Sequence, residues 1–349
     1  MVVVTAPTTD VEKFKRLFAL GKMLDTKHET TNSLMRLGAK NIVRIPSIST
    51  KLPTLDYDVI QTGGIPRGRV VEIFGPESAG KTTFTLWSIA QAQSQGDIAA
   101  FIDAAHAIDL GYAKNLGVNV DDLVLNQPDS GEKALQVVEA LVDSQCVGLI
   151  VVDDVSSLVP EAELAGEIGD AHVGLQARLM SQALRILTAK CARNKVTVIF
   201  INQIRERIGV MYGNPETTSG GRALKFYSSI RLDVRRKDEI KLGTTLVGHT
   251  LRLKAVKNKV GTPLRETLVD LYYPGTSFQC GFDYIGDLIT HAAKQGLLEM
   301  SGSWYSLNGE KIANGLANLK TTLRNDTKVL DILRQRLEAL SGKDNEVKV

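Results

Sequence analysis

Aromatic side chains make up only 5% of this 349-residue chain, and cysteine occurs just three times. Each shortage excludes something. With so few rings, the core must be largely aliphatic. Cys146, Cys191 and Cys280 are far apart and odd in number, with no C-x-x-C pair, which argues against both a disulfide framework and a zinc site. A reduced compartment suits such usage. No stretch approaches the ~20 apolar residues of a membrane span, and the opening apolar run is too short for a signal peptide. A cytoplasmic protein with no membrane partner is therefore expected. Internal repeats and low-complexity tracts are also missing. Excess charge is small: 42 basic against 39 acidic residues leaves +3, so a polyanion partner would have to meet a local patch.

What is present is ordinary globular material, 43% hydrophobic and 23% charged, at a length that suggests two domains with a small appendage. Residues 8–26 read as an amphipathic helix that Thr9 or Asp10 can cap, with Phe14, Leu17, Phe18, Leu20 and Met23 at helical spacing. Residues 1–45 hold 8 basic and 4 acidic side chains. Such an arm suits docking on a partner subunit or a polyanion, and equally the solvated face of a packing helix. Turn residues cluster at 62–68. Apolar runs then stand at 70–74, 98–102, 123–125, 147–152 and 196–201, with helix-length segments at about 81–95, 131–145 and 174–193. Short β-branched runs alternating with helices predict a parallel sheet covered on both faces. Residues 228–235 and 250–256 alternate more, as edge or antiparallel strands do. Residues 281–340 read as a small separate α/β or helical domain.

Gly75-Pro76-Glu77-Ser78-Ala79-Gly80-Lys81-Thr82 fits G-x-x-x-x-G-K-[ST] and lies between a strand pattern and a helix pattern, the context that motif needs. The glycines let successive N–H groups turn inward to phosphate oxygens, and the helix start adds its positive dipole end. Lys81 would reach the β/γ-phosphates, and the Thr82 hydroxyl would ligate Mg²⁺. A second carboxylate is needed to hold the metal's water shell, at the end of a buried strand of the same sheet. Asp153, closing Leu149-Ile150-Val151-Val152, is the candidate. Asp154 would face the opposite way if the strand continued.

Together with the flanking Val71 to Phe74 and Thr83, these residues resemble the bacterial RecA recombinase family. So do Phe101-Ile102-Asp103-Ala104, Gly166-Glu167-Ile168-Gly169-Asp170, Ile201-Asn202-Gln203-Ile204-Arg205, Asn214-Pro215-Glu216-Thr217-Thr218, Ala223-Leu224-Lys225-Phe226-Tyr227 and Val256-Lys257-Asn258-Lys259. The similarity runs from about residue 30 to about 325. The resemblance implies an α/β P-loop NTPase core with a mostly parallel central sheet over 46–280. An N-terminal helical oligomerisation arm over 1–45 and a small C-terminal α/β domain that guides duplex DNA over 281–349 complete it. It implies ATP and Mg²⁺ as cofactors, with Gly75 to Thr83, Asp109, Tyr112 and Tyr273 binding the nucleotide. Gln203 becomes the γ-phosphate sensor, and Lys257 and Lys259 the pair that reaches a neighbouring copy's ATP, as arginine fingers do. Lys225 and Phe226 fall at the subunit interface. DNA contacts are implied for two loops, about 163–174 and 205–221, through Val173, Arg178, Arg185, Arg205, Ile208, Met211, Gly220 and Gly221, with Arg222 a further candidate.

The partners implied are single- and double-stranded DNA and a helical homopolymer; the activity is DNA-dependent ATP hydrolysis with strand exchange in recombination, repair and the SOS response to damage. A ring helicase and a non-catalytic ATP-gated DNA scaffold are the alternatives. Residues 231–259 add 9 basic against 3 acidic side chains, suited to a polyanion channel.

Three departures stand out. Ala105 occupies the position of the family's catalytic Glu, and a methyl group can neither accept a proton nor orient water. Asp103, two residues away, is the carboxylate expected to take over. The final residues 341–349 lack the acidic tail of many bacterial members, which predicts easier duplex binding. Asp154 replaces the family's small hydroxyl residue, with no consequence readable from the sequence. The three together suggest a divergent, phage-type member.

Overall fold

The computed structural model describes residues 8–28, 34, 45–167, 174–206 and 216–344. It divides into two units, residues 1–44 and 45–349. In the first, α1 (Thr8–His28) realises the expected helix, two residues longer at its end. Phe14, Leu17, Phe18, Leu20 and Met23 along it are exposed.

The second unit opens with β1 (Ser47–Ile48), a helical segment at Thr54–Ile60, and β2 (Ile65–Pro66). The expected alternation follows: β3 (Val70–Gly75), α2 (Lys81–Ser94), β4 (Ala99–Asp103), α3 (Leu110–Asn115), β5 (Leu123–Asn126), α4 (Gly131–Ser144) and β6 (Leu149–Asp153). After a short turn at Val155–Ser157 come α5 (Glu161–Leu164), α6 (Leu175–Asn194), β7 (Thr197–Glu206), β8 (Glu216–Thr218) and α7 (Ala223–Tyr227). β9 (Ile230–Leu242), β10 (Thr245–Asn258), β11 (Glu266–Tyr272) and β12 (Gly281–Phe282) complete the large sheet. The chain ends with α8 (Tyr284–Lys294), a meander of β13 (Leu298–Ser301), β14 (Trp304–Leu307) and β15 (Glu310–Asn314), then α9 (Leu316–Asn325) and α10 (Thr327–Asp344).

Strand order across the large sheet is β12-β11-β10-β9-β3-β7-β6-β4-β5, with β8 paired to β7. From β9 to β5 every neighbour is parallel; from β9 to β12 every neighbour is antiparallel. The period of two along each central strand divides its side chains between two cores. Val71, Ile73, Phe101, Val151, Ile199 and Ile201 go to the face covered by α2. Val70, Ile102, Ile150, Val152, Val198 and Phe200 go to the face covered by α4 and α6. That double burial is why these segments read as unbroken apolar runs. The C-terminal segment has a core of its own, built from Ile285, Leu288, Leu298, Leu319, Leu323 and Leu333 among others.

Helix starts follow local chemistry. Ser130 Oγ accepts the Lys133 N–H at 3.2 Å to cap α4, and Asp109 Oδ1 accepts the Tyr112 N–H at 2.9 Å to cap α3.

The segments 228–235 and 250–256, read as edge or antiparallel strands, do pair antiparallel with each other, but β9 is not an edge: it also pairs in parallel with β3, Val71 opposite Ile230 and Ile73 opposite Leu232. Its alternation places Ile230, Leu232 and Val234 in the core, with Arg231 and Arg235 on the other face. Much of the basic stretch 231–259 is paired within the chain. Arg231 pairs with buried Glu72, Arg235 with Glu216 and Asp233, Arg252 with Asp233, Lys254 with Glu266 and Lys241 with Glu239.

Phe101 is fully buried in the middle of β4. Phe101→Ala should lower unfolding stability by about 3–5 kcal/mol, whereas Leu268→Ala on the exposed side of β11 should cost under about 0.5 kcal/mol. Paired urea denaturation curves check both.

Candidate nucleotide site

A parallel sheet delivers the carboxyl ends of its strands to one edge, where ligands of such folds bind. Here that edge collects the ends of β3, β7, β6 and β4. Gly75 stands in register with Gln203, and Asp103 with Asp153. The loop after β3 needs its glycines. A Cβ on Gly75 would meet the Val234 carbonyl oxygen at 2.1 Å, and Gly80 has φ +91°. Ser78 also adopts a positive φ, 55°, so the loop curls on itself before α2 begins at Lys81.

The Lys81 ammonium folds over this loop and donates to the carbonyl oxygens of Gly75 at 3.1 Å and Pro76 at 2.6 Å. Burial pulls its pKa below the ordinary lysine value, opposed by Asp153, Asp154 and Glu77. Thr82 Oγ1 donates to Asp153 Oδ2 at 2.7 Å, joining the first turn of α2 to the end of β6. Burial raises the Asp153 carboxyl to about 6; the Thr82 hydrogen bond opposes this and Asp154 and Asp103 add to it. A cradle of N–H groups that a Cβ would close, with a buried ammonium, a hydroxyl and a carboxylate around it, fits a magnesium–triphosphate group. Among the described residues, no group of three or more His, Cys, Asp or Glu could hold a metal by itself.

The other nucleotide candidates gather at the same end. Tyr112 lies with its hydroxyl 3.2 Å from Thr83 Oγ1. Burial raises its phenol pKa, offset by the Thr83 hydrogen bond and helped by Cys280 and Tyr273. Tyr273 Oη receives a hydrogen bond from Arg236 at 2.7 Å and lies 2.9 Å from His249 Nδ1. Asp109 spends its carboxylate on the α3 cap described above.

Ala105 is exposed, and its N–H donates to the Asp153 carbonyl at 3.2 Å. Asp103 does not take over a catalytic carboxylate's place. It is 1% exposed and accepts from the Ala107 N–H at 3.0 Å, the Ile108 N–H at 3.3 Å and Gln127 Nε2 at 2.9 Å. Its oxygens are consumed in shaping the loop that carries Ala105.

Asp154 also departs from expectation. β6 stops at Asp153, and Asp154 turns to cap the helical turn at Val155–Ser157 and to accept a hydrogen bond from Gln203 Nε2. Gln203 follows the buried half of β7, which runs on to Glu206 and pairs with β8, Arg205 opposite Thr217. The expected loop of 205–221 is thus partly a ladder, and Glu163 and Leu164 of the other expected loop belong to α5. Val173, Ile208 and Met211 lie outside the described residues. Arg178, Arg185 and Arg205 are exposed, as is Arg222. Gly220 and Gly221, both at positive φ, press against Val155, Met180 and Ala177, where a Cβ would come within 2.9 Å or less of its neighbour. Lys257 Nζ donates to the carbonyl oxygens of Lys225 at 2.6 Å and Phe226 at 3.0 Å, and Lys259 Nζ to that of Phe226 at 3.0 Å. Both ammoniums thereby cover the carboxyl end of α7, beside the 67%-exposed Phe226 ring. Burial first, then Lys259 and Arg231, lower the Lys257 pKa to about 8.

Sequence reasoning missed the Asp154–Gln203 contact and the Arg235–Glu216 pair. The first joins residues 49 positions apart, and no spacing pattern signals it.

A phosphate loop at the carboxyl edge of a parallel sheet, with its lysine, hydroxyl and acidic strand end in contact range, defines a nucleoside-triphosphate-binding protein of the P-loop class. Residues 19–277 match the RecA N-terminal domain and residues 286–341 the RecA C-terminal domain. The chain is 52% identical over 305 residues, 87% of its own length and 86% of the relative's, to Protein RecA of Listeria welshimeri, and equally to those of Listeria ivanovii and Listeria monocytogenes. It belongs to the RecA family, a family of ATPases with a role in recombination and repair. No helix among the described residues is long and apolar enough to cross a membrane.

The Asp153 shift carries a stability consequence. An unfolded Asp ionises near 4 and this one near 6, so between those values the folded state binds more protons and stability falls as pH rises. Asp153→Asn removes that penalty while keeping an acceptor for Thr82. The variant should match the parent below pH 4 and exceed it above pH 6 by up to about 3 kcal/mol, measured by denaturant unfolding across that range.

Proposed function

We propose that this chain is an ATP-dependent DNA strand-exchange protein that assembles as a helical homopolymer on single-stranded DNA, with ATP and Mg²⁺ bound where neighbouring copies meet. The observation that carries the reading is the route from phosphate loop to DNA loop. Gln203 stands in register with Gly75, the first residue of the phosphate loop, and three residues later its strand reaches the segment 207–215. A change at the nucleotide therefore has a short, hydrogen-bonded path to the proposed DNA contact.

In this reading the N–H groups of Pro76-following residues through Thr83 bind phosphate oxygens, and Lys81 exchanges two loop carbonyls for them. Thr82 holds Mg²⁺ directly and Asp153 through water; the cation neutralises charge on the phosphates. Asp109, Tyr112 and Tyr273 frame the base. Gln203 contacts the terminal phosphate. Lys257 and Lys259 leave the carboxyl end of α7 and serve the neighbouring copy's nucleotide. The lowered Lys257 pKa supports this, since a desolvated ammonium gains when an anion replaces carbonyl dipoles. Lys225 and Phe226 form the contact between copies. Arg178, Arg185, Arg205, Gly220 and Gly221, with Val173, Ile208 and Met211, bind the strand; residues 281–349 guide the duplex. Pairing specificity comes from the bases, while the protein supplies backbone contacts and spacing.

Ala105 favours a chain that binds ATP well and hydrolyses it slowly. It also favours a second reading, an ATP-gated DNA scaffold without strand exchange. A joint-molecule assay with and without a non-hydrolysable ATP analogue separates them, since a scaffold forms no joint molecules in either. Electron microscopy with ATP and single-stranded DNA tests the assembly: open helices support it, and closed rings or isolated protomers count against it.

Restoring a carboxylate by Ala105→Glu should raise DNA-stimulated ATP turnover by about 10²–10⁴-fold, the usual contribution of a positioned general base. Equal steady-state rates for the two chains would refute that role. Alanine at Arg178 or Arg185 should each reduce the slope of log affinity against log salt by about 0.7 for single-stranded DNA, read by fluorescence anisotropy at several salt concentrations.

A further inference from the structure

The Asp154 carboxylate is 3% exposed, and its surroundings hold it still. Oδ1 accepts from Ser156 Oγ at 2.8 Å, the Ser157 N–H at 2.9 Å and Ser157 Oγ at 2.9 Å. Oδ2 accepts from Gln203 Nε2. The glutamine is the movable partner. Its side chain is exposed. Its backbone is fixed, because the Gln203 N–H donates to Asn202 Oδ1 at 2.9 Å, and Asn202 Nδ2 in turn bonds Glu72 at 3.0 Å and the Ser219 carbonyl at 3.1 Å. Only rotation of the Gln203 side chain can break the contact with Asp154.

We propose that Asp154 is a positioning residue that latches the Gln203 amide away from the terminal phosphate, so that the chain gives up a charge-assisted hydrogen bond each time Gln203 engages a triphosphate. This rests on the sensor role given to Gln203 above. In the latch, turning to a terminal phosphate takes the Gln203 amide from a carboxylate whose other oxygen is already saturated. ADP presents no such phosphate and leaves the latch closed. Asp154 therefore reduces the preference for ATP over ADP without touching the nucleotide. The same anchoring makes Asp154 a poor follower: three donors from 156 and 157 keep it in place when the glutamine departs.

The test compares the affinity of the full-length chain for a slowly hydrolysed ATP analogue and for ADP, both with Mg²⁺ and without DNA, by displacement of a fluorescent nucleotide. Asp154→Ser keeps a hydroxyl to cap Ser157 and removes the acceptor for Gln203. It should raise the triphosphate-to-diphosphate affinity ratio about tenfold, the scale of one charge-assisted hydrogen bond. Asp154→Asn keeps the cap through its one oxygen and turns its Nδ2 toward Gln203, so contact survives only as a neutral bond to the flipped Gln203 amide oxygen; it should give a smaller shift in the same direction, about threefold. The decisive arm repeats Asp154→Ser in a Gln203→Ala background, where the ratio should not change. An unchanged ratio in a folded Asp154→Ser chain overturns the latch; if that variant does not fold, an unchanged ratio in Asp154→Asn does so. The same shift persisting without Gln203 also overturns it, because plain charge repulsion would then explain the effect. If the ratio shifts as expected but no variant binds single-stranded DNA, the strand-exchange reading falls and the latch stands.

Discussion

Everything at the nucleotide edge depends on the parallel ladder that holds β3 between β7 and β9. Parallel pairing fixes direction as well as spacing, so strands from distant parts of the chain end at one rim. Glu72, fully buried in β3, reinforces this from within: Arg231 of β9 and Asn202 of β7 both bond its carboxylate. A buried carboxylate with a charged partner on one side and an amide on the other is tolerated only when both neighbours are in place. The central three strands are therefore locked in register by side chains as well as by backbone. The phosphate loop, Asp153 and Gln203 inherit their positions from that lock.

The central sheet was largely legible because double burial writes itself as β-branched runs, and the phosphate loop because its backbone demands two glycines and a lysine at fixed offsets. Other features left no such mark. The parallel pairing of β9 with β3 left no mark, because alternation in 228–235 reports which side chains face the core and not the direction of each neighbour. The acidic partners of Arg231, Arg235 and Arg252 are on other strands or two residues away, so counting charges gave a net +6 where the folded chain has mostly closed pairs. Asp103 looked free because its spacing from Ala105 was right. Its oxygens are consumed by backbone N–H groups that converge on it only once the loop has turned. Asp154 looked inert because the residue it meets is on another strand.

The three carboxylates at this rim show how environment separates identical chemistry. Asp103 is satisfied by N–H donors and shapes a loop. Asp153 keeps a hydroxyl partner and is pushed toward neutrality by burial. Asp154 is saturated by serines and a glutamine. Only Asp153 retains an oxygen with no protein donor assigned among the described contacts, which is the property a water-shell ligand needs.

The Arg235 guanidinium grips Glu216 with both terminal nitrogens while its Nε holds Asp233. Glu216 opens β8, and Asp233 lies in β9 opposite Lys254 of β10. Tension applied between Glu206 and Glu216 is consequently not borne by the short β7–β8 ladder alone. A charged cleat carries part of the load sideways into the long hairpin, whose second strand ends at Lys257 and Asn258. The short β8 is thereby tied to both strands of that hairpin, through Arg235 and Asp233 of β9 and Arg252 of β10.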